Sequence, residues 1–183
     1  MRDVPNPQIA PAPAASAKVV FMRTTFVSGA LECDLFEIVN GEPKFIGQIP
    51  KGNKVVYETT PGPKVFMAYG HAADFMLAEL APGKTYYSIV RPNWGSGGFA
   101  PTPIHDPNNP EAQGWISRTR LIEPDPGKAS AWFAEQKARV QEAYVVYWGL
   151  FENKDAEQKK ERTLQPQDGL VTPVPAMPLP DGE

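Results

Sequence analysis

The chain has very few of the side chains that build disulfides, metal sites and reactive centres. Its 183 residues include one cysteine, Cys33, and two histidines, His71 and His105. One cysteine cannot form an internal disulfide, and a lone cysteine in a strand-like run is typical of a small buried hydrophobe. Metal sites need several clustered ligands, and each histidine lies in a predicted turn near a single acid. We therefore predict no metal ion and no other cofactor.

A strong charge of one sign and long apolar runs are also missing. The formal net charge is −3, which argues against the basic surface of a nucleic-acid-binding protein. No apolar run in the sequence approaches the roughly 20 residues that span a bilayer. No transmembrane segment is therefore predicted, and the start of the chain shows no apolar core of a secretory signal.

The usual catalytic patterns are missing as well. Cys33 has no histidine near it in sequence, and no serine stands in a G-x-S-x-G turn. Residues 95–98 are Gly-rich but lack the Lys-Ser/Thr pair of a phosphate-binding loop. Glu32 and Asp34 share one face of a predicted strand, and a solvated edge is the expected place for such a pair. We therefore predict that the protein is not an enzyme and has no catalytic residues.

Proline and strand-forming residues are abundant instead. The chain has 21 prolines, and the Pro-Gly pairs at 61–62 and 82–83 separate runs rich in Val, Phe, Met, Tyr and Ile. Pro followed by Gly suits a type II turn, so we predict an antiparallel meander. Asn40-Gly41 favours a type I′ hairpin turn. The predicted strands are 18–26, 32–39, 43–49, 54–60, 64–69, 74–80, 84–91 and 113–122.

The close spacing of these strands predicts a mainly β fold. We expect an antiparallel β-sandwich of immunoglobulin-like or transthyretin-like type over residues 18–122. Residues 123–165 are predicted to be a C-terminal α-helical extension packed on the sandwich, starting at Asp125-Pro126. Gly149 leaves two alternatives, one long bent helix or two helices joined near it. The apolar stripe of this helix contains Ala129, Trp132, Phe133, Gln136, Val140, Ala143, Tyr144, Tyr147 and Phe151.

Several segments, in their order along the chain, resemble a bacterial family. They are KVVFMR at 18–23, the loop 26–29, Asn40-Gly41 followed by Ile46-Gly47, Pro61-Gly62, and PGKTYY at 82–87. Over residues 17–122 they resemble a β-sandwich family that carries only a domain-of-unknown-function label. Its members are commonly predicted lipoproteins or exported proteins. The resemblance implies a module of the bacterial envelope and supplies no catalytic residues.

The two ends of the chain are rich in proline. Residues 1–17 are predicted to be a disordered Pro/Ala-rich tether, and residues 166–183 a Pro-rich tail. Together with the resemblance, the tether predicts a protein tethered in the periplasm or at the outer membrane. A lipid anchor upstream of the given chain is part of this expectation, and a cytoplasmic protein is the alternative.

Aromatic residues around the predicted loop 92–115 form the candidate ligand site. Trp94, Phe99 and Trp115 would stack on a ligand, and Arg91 and Arg118 would orient an anionic group. The alternative is that these rings cap the sandwich or pack under the helix. We predict a non-catalytic envelope module with a structural or protein-interaction role, whose partner is an unknown envelope protein. The alternative function is a module that binds a glycan or a peptide at this loop.

Overall fold

The structure is a computed structural model of the chain, and it describes residues 1–4, 8–24, 32–93 and 98–175. Trp94, the loop 26–29 and residues 95–97 therefore lie outside the described residues. The strands are β1 (Arg2–Asp3), β2 (Ala17–Arg23), β3 (Asp34–Val39), β4 (Glu42–Gln48), β5 (Asn53–Thr59), β6 (Gly62–Tyr69), β7 (Ala73–Leu80), β8 (Thr85–Asn93), β9 (Gly98–Pro103), β10 (Arg120–Glu123) and β11 (Thr163–Leu164). The helices are α1 (Pro110–Arg118), α2 (Pro126–Glu152) and α3 (Ala156–Glu161), and a 3₁₀ turn covers Pro166–Asp168.

The strands form two sheets, and both sheets are mixed. The first sheet has the order β1-β10-β5-β2-β8-β9, and the second has the order β11-β7-β6-β3-β4. Three pairs are parallel, namely β10 with β5, β2 with β8, and β11 with β7. The other pairs are antiparallel. A mainly β fold with helices is therefore confirmed, whereas the prediction of a purely antiparallel sandwich is wrong.

The predicted meander ends after its first turn because β8 belongs to the other sheet. β6 and β7 pair antiparallel as predicted, with Lys64 opposite Ala78. The chain then crosses to the first sheet, where β8 lies parallel to β2 with Tyr87 opposite Val20. Residues 85–90 of β8 are all buried, which is typical of a strand covered on both faces in a parallel arrangement.

Two local predictions are confirmed. Asn40 and Gly41 have φ angles of 53° and 79°, the left-handed values that a type I′ turn requires at both central positions. They join β3 to β4, which pair antiparallel. Cys33 is a free cysteine and is buried, as expected of a small hydrophobe in this run.

One apolar core joins the inner faces of the two sheets. Phe21 of the first sheet meets Phe66 of the second edge to face, with ring centroids 5.2 Å apart. Burying a large apolar side chain stabilises a fold by about 1.5–3 kcal/mol, so this shared core holds the two sheets together in a sandwich-like layering. The first sheet contributes Val19, Phe21, Val55, Tyr86, Val90, Phe99 and Ile122, and the second contributes Leu35, Ile46, Phe66, Ala68, Met76, Ala78, Leu80 and Leu164.

The helix α2 covers the outer face of the second sheet. It begins at Pro126, as predicted, and continues through Gly149 without a break. A second helix, α3, follows after residues 153–155, where Asp155 caps it by accepting the N–H of Gln158. The apolar stripe faces the sheet: Val140, Ala143 and Phe151 are buried, and Trp132, Phe133, Tyr144, Tyr147 and Trp148 pack around them.

The prediction of a last strand over residues 113–122 is confirmed only for residues 120–122, which belong to β10, and is wrong for residues 113–118, which belong to α1. Asn109 caps this helix, since its side-chain oxygen accepts the N–H of Ala112 at 2.8 Å. Pro110 suits the first helical position. Ala112 and Ile116 lie four residues apart on one helix face, and both pack on the outer face of the first sheet.

A buried lysine fastens α1 to β5. Lys54 is 2% exposed, and its Nζ donates a hydrogen bond to the carbonyl oxygen of Ile116 at 2.5 Å. Burial lowers the pKa of this ammonium to about 8. A positive charge is favourable beside carbonyls of the last helical turn, so Lys54 links the sheet to the C-terminal end of α1.

The N-terminal segment contacts the domain within its described residues. β1 pairs with β10, and Ile9 packs on the cluster beneath α1. Nζ of Lys18 donates to the carbonyl oxygens of Ala10 and Pro11, at 3.0 and 3.2 Å. This differs from the free tether predicted for residues 1–17, because the composition of a segment does not reveal partners elsewhere in the fold.

The C-terminal segment is docked as far as it is described. β11 pairs with β7, and Leu164 lies in the central core. Nη2 of Arg162 lies 2.9 Å from Oδ2 of Asp74, and the backbone N–H of Val174 donates to the hydroxyl of Tyr87 at 2.8 Å. The Pro-rich segment that was predicted to be a separate tail therefore packs on the domain as far as Pro175.

Candidate functional site

Phe99, one residue of the aromatic site predicted from the sequence, lies in the core between the sheets. It is 1% exposed, and the guanidinium carbon of Arg23 lies 4.3 Å from its ring centroid. β9 can lie close to the backbone of Ala72 because Gly98 has no side chain. A Cβ at position 98 would lie 2.3 Å from the carbonyl oxygen of Ala72. Phe99 therefore offers no ring surface to a ligand.

Arg91 and Trp115 are the predicted residues that the structure brings together. The guanidinium carbon of Arg91 lies 4.8 Å from the Trp115 ring centroid. Trp115 is half-buried on α1 and packs against the cluster beneath that helix. Arg118 is exposed in the last turn of α1, folded over Gly114. Trp94 lies outside the described residues. The contacts of Trp115 with Arg91 and with the cluster beneath α1 agree with the alternative that this ring packs under a helix. The described residues around α1 therefore form no aromatic platform for a ligand.

A different site lies between α2 and the second sheet. It is a pocket of about 400 Å³, within the range of roughly 300–1,000 Å³ that small-ligand sites occupy. The chain entering β3, the bend after β6, and three helical positions at steps of four and three form its walls, and such helical positions project to the same side. The side chains that line it are Glu32, Asp34, Tyr69, His71, Trp132, Gln136 and Arg139. We call this the α2 pocket.

Asp34 is the buried charge of the α2 pocket. The residue is 5% exposed, and its Oδ1 has no hydrogen-bond partner among the described residues. The pKa of Asp34 is raised to about 7, chiefly by burial and in smaller part by the nearby carboxylate of Glu32. A hydrogen bond from the side chain of Gln48 and the charge of Arg139 act in the opposite direction. Near neutral pH this carboxyl group therefore passes between its neutral and charged forms.

The prediction that Glu32 and Asp34 form a solvated edge is wrong for Asp34. β3 is an inner strand of the second sheet, with β4 on one side and β6 on the other. Asp34 lies opposite Gln48 of β4 and opposite Tyr69 of β6. Because α2 covers this face, a carboxyl at the start of β3 is enclosed, whereas Glu32, two residues earlier, stays exposed.

The aromatic walls of the α2 pocket are held by packing. Trp132 is tilted against Phe45, with ring centroids 4.9 Å apart. Tyr69 is 7% exposed, and the guanidinium carbon of Arg139 lies 5.7 Å from its ring centroid. A cation over an aromatic ring at this distance is attracted by the ring's negative face. The pocket thus combines fixed rings with charged groups of both signs.

No protein-family model and no curated protein match the chain. Within the described ranges, no helix is long and apolar enough to cross a membrane. The same part of the chain holds no group of three His, Cys, Asp or Glu side chains arranged for a metal ion. The α2 pocket is therefore the candidate functional site.

Part of this pocket had a signal in the sequence. Gln136 interrupts the apolar stripe of α2, and a polar residue within such a stripe often marks a place where the helix faces something other than a core. Trp132 and Tyr69 gave no such signal, because aromatic residues at these positions are as well explained by core packing. His71 lies in a predicted turn and is exposed, and it lines the pocket only because α2 approaches that turn.

Proposed function

We propose that the protein is a non-catalytic binding module that takes a saccharide in the α2 pocket. The observation that carries this proposal is the combination of an aromatic wall, Trp132, with the planar polar side chains of Glu32 and Arg139 in one concave site. A sugar ring presents C–H groups on its faces and hydroxyl groups around its edge. It therefore needs both kinds of partner, and aromatic rings supply contact area at a low entropic cost.

The hydrogen-bonding groups of the pocket match the hydroxyl groups of a sugar. A hydroxyl both donates and accepts, and here Glu32 accepts, Arg139 donates and Gln136 does both. Both signs of charge line the same space, so a neutral polar ligand meets favourable partners, whereas a strongly anionic one would meet the Glu32 carboxylate. This proposal keeps the glycan alternative expected from the sequence but moves it from the loop 92–115 to other residues.

The envelope setting is part of the same proposal. Its support is the resemblance of segments 18–23 and 82–87 to the bacterial family and the Pro/Ala-rich composition before residue 17. A tethered protein of the periplasm or outer membrane, with an immunoglobulin-like or transthyretin-like sandwich, remains the expectation. Fractionating bacterial cells that express the natural gene, with an antibody against the protein, tests the location. Recovery only with cytoplasmic markers would contradict it.

Ligand-observed NMR on the full chain tests the saccharide site. The probes are glucose and N-acetylglucosamine with their β-1,4-linked tetramers, at millimolar concentrations. We expect saturation transfer to at least one probe, and its loss in Trp132→Ala. Trp148→Ala is the matched control, because Trp148 is also half-buried on α2 but packs on the sheet outside the pocket. Absence of transfer to every probe, or equal loss in both variants, would refute the site, and shortening of a tetramer would refute the non-catalytic role.

The predicted structural or protein-interaction role is the second candidate, and the far side of α2 favours it. Val145, Val146 and Leu150 are 62%, 55% and 62% exposed, and neighbouring exposed apolar side chains are typical of contact surfaces. Self-association through this face would appear in sedimentation velocity as a dimer that Val146→Lys abolishes. A monomer at all concentrations would leave the α2 pocket as the candidate.

A further inference from the structure

A second cavity is also lined by Trp132. It measures about 190 Å³ and is lined by Met1, Phe45, Gln48, Asp125, Ala129 and Trp132. Phe45 and Ala129 make it less polar than the α2 pocket, which has charged side chains on both of its walls. We call it the Ala129 cavity.

The Ala129 cavity and the α2 pocket share two walls. The indole of Trp132 lines both of them. Gln48, on the side of the Ala129 cavity, is the β4 residue that pairs with Asp34 of β3, on the side of the α2 pocket. The two spaces are therefore neighbours separated by single side chains rather than unrelated depressions of the surface.

One side of α2 lines both the Ala129 cavity and the α2 pocket. Ala129, Trp132, Gln136 and Arg139 follow one another at steps of three, four and three, so they form one strip along α2. At a rise of 1.5 Å per residue this strip is about 15 Å long, which exceeds the width of a single sugar ring. Phe45 packs against Trp132 with ring centroids 4.9 Å apart and holds the indole in the middle of the strip.

We propose that the α2 pocket and the Ala129 cavity form one groove for an oligosaccharide of at least two units, which lies across the indole of Trp132. The inference rests on the proposed saccharide function and names the form of the ligand. One unit occupies the polar α2 pocket, where Glu32 and Arg139 bind its hydroxyl groups. The next unit occupies the Ala129 cavity, where Gln48 supplies an amide and Phe45 supplies apolar surface.

Titration calorimetry on the full chain tests the groove by ligand length. The probes are N-acetylglucosamine and glucose, each compared with its β-1,4-linked tetramer. For a chain that fills both spaces we expect the tetramer to bind about tenfold more tightly than the monomer, which corresponds to roughly 1.4 kcal/mol. Ala129→Leu fills the second space, so it should abolish this gain. Ala134→Leu, at an exposed position of the same helix, is the matched control and should preserve the gain.

The outcomes separate the two proposals. Equal affinity for monomer and tetramer would overturn the groove and leave the single-sugar pocket standing. Equal weakening of monomer and tetramer by Ala129→Leu would also overturn it, because the second space would then not be a separate binding position. The groove would also be overturned if the tetramer still bound more tightly than the monomer in Ala129→Leu. Absence of binding by all four probes would overturn the saccharide function itself, and the groove with it.

Discussion

The Nδ1 atom of His105 lies 2.7 Å from Oδ2 of Asp168, and this contact joins the loop after β9 to the 3₁₀ turn near the C-terminus. Asp168 is 5% exposed and also accepts the backbone N–H of Gln165 at 2.7 Å. Next to it, the backbones of Thr85 and Leu170 exchange two hydrogen bonds of 2.8 and 2.9 Å. The segment after α3 is therefore part of the folded domain.

Two truncations test this docking. Removal of residues 176–183 deletes none of the described contacts, so this shorter chain is the reference for the longer truncation. Removal of residues 162–183 also deletes Leu164 and Val174, which are 0% and 6% exposed. Each is worth about 1.5–3 kcal/mol when buried, so we expect a loss of at least about 3 kcal/mol in urea denaturation. Equal stability of the two truncated chains would show that the segment is not docked.

The packing of α2 on the second sheet gives another stability prediction. Phe151 is 2% exposed and meets Phe75 edge to face, with ring centroids 5.5 Å apart. We expect Phe151→Ala to cost about 3–5 kcal/mol, as is usual for an aromatic side chain in a core. Val145→Ala, on the exposed face of the same helix, should change the stability by less than about 0.5 kcal/mol. An unchanged denaturation midpoint for Phe151→Ala would mean that α2 does not pack on the sheet.

The features predicted correctly from the sequence depend on neighbouring residues. The turn at Asn40-Gly41 follows from the backbone angles that two adjacent residues tolerate. The start of α2 at Pro126 and its apolar face follow from a local cap signal and a helical period. Such signals depend on only a few neighbouring residues, so they can be recognised without knowledge of the rest of the fold.

The features that could not be predicted depend on residues distant in sequence. The strand β8 reads as the next strand of a meander, yet its partner is β2, more than sixty residues earlier. Asp34 reads as half of an exposed pair, and only the order of the second sheet and the position of α2 bury it. The α2 pocket could not be predicted for the same reason, since it joins parts of the chain that lie about a hundred residues apart.

The helix α1 was not predicted, although its start signal, Asn109 followed by Pro110, is local. The contribution of this cap can be tested. Asn109 accepts the N–H of Ala112 at 2.8 Å and donates from Nδ2 to the carbonyl oxygen of Asp106 at 2.6 Å. We expect Asn109→Ala to lower the free energy of unfolding by about 1 kcal/mol, the usual value of an N-cap. Asn108→Ala, at the exposed neighbouring position, is the control and should have little effect. Equal effects of the two substitutions in thermal denaturation would contradict the role of Asn109 as a cap.

The buried carboxyl group of Asp34 makes stability depend on pH in a definite direction. Its pKa rises from 3.8 to about 7, chiefly through burial. The folded chain therefore holds this proton more tightly than the unfolded chain does. The stabilising contribution is complete below the unfolded-state value of 3.8, and it is lost as the pH rises through the folded-state value.

Substitution of Asp34 isolates this contribution. Asp34→Asn places a neutral amide at the site at every pH, so it should gain stability relative to the wild type as the pH rises from about 4 to about 8. The gain should approach roughly 4 kcal/mol, because one pKa unit corresponds to about 1.36 kcal/mol. Urea denaturation across this range measures it, with Glu79→Gln as the control for an exposed carboxyl group on β7, where a much smaller variation is expected. If the difference between Asp34→Asn and the wild type were the same at both ends of the range, the carboxyl group would be solvated rather than enclosed. The Asp34 wall of the α2 pocket would then be open to water.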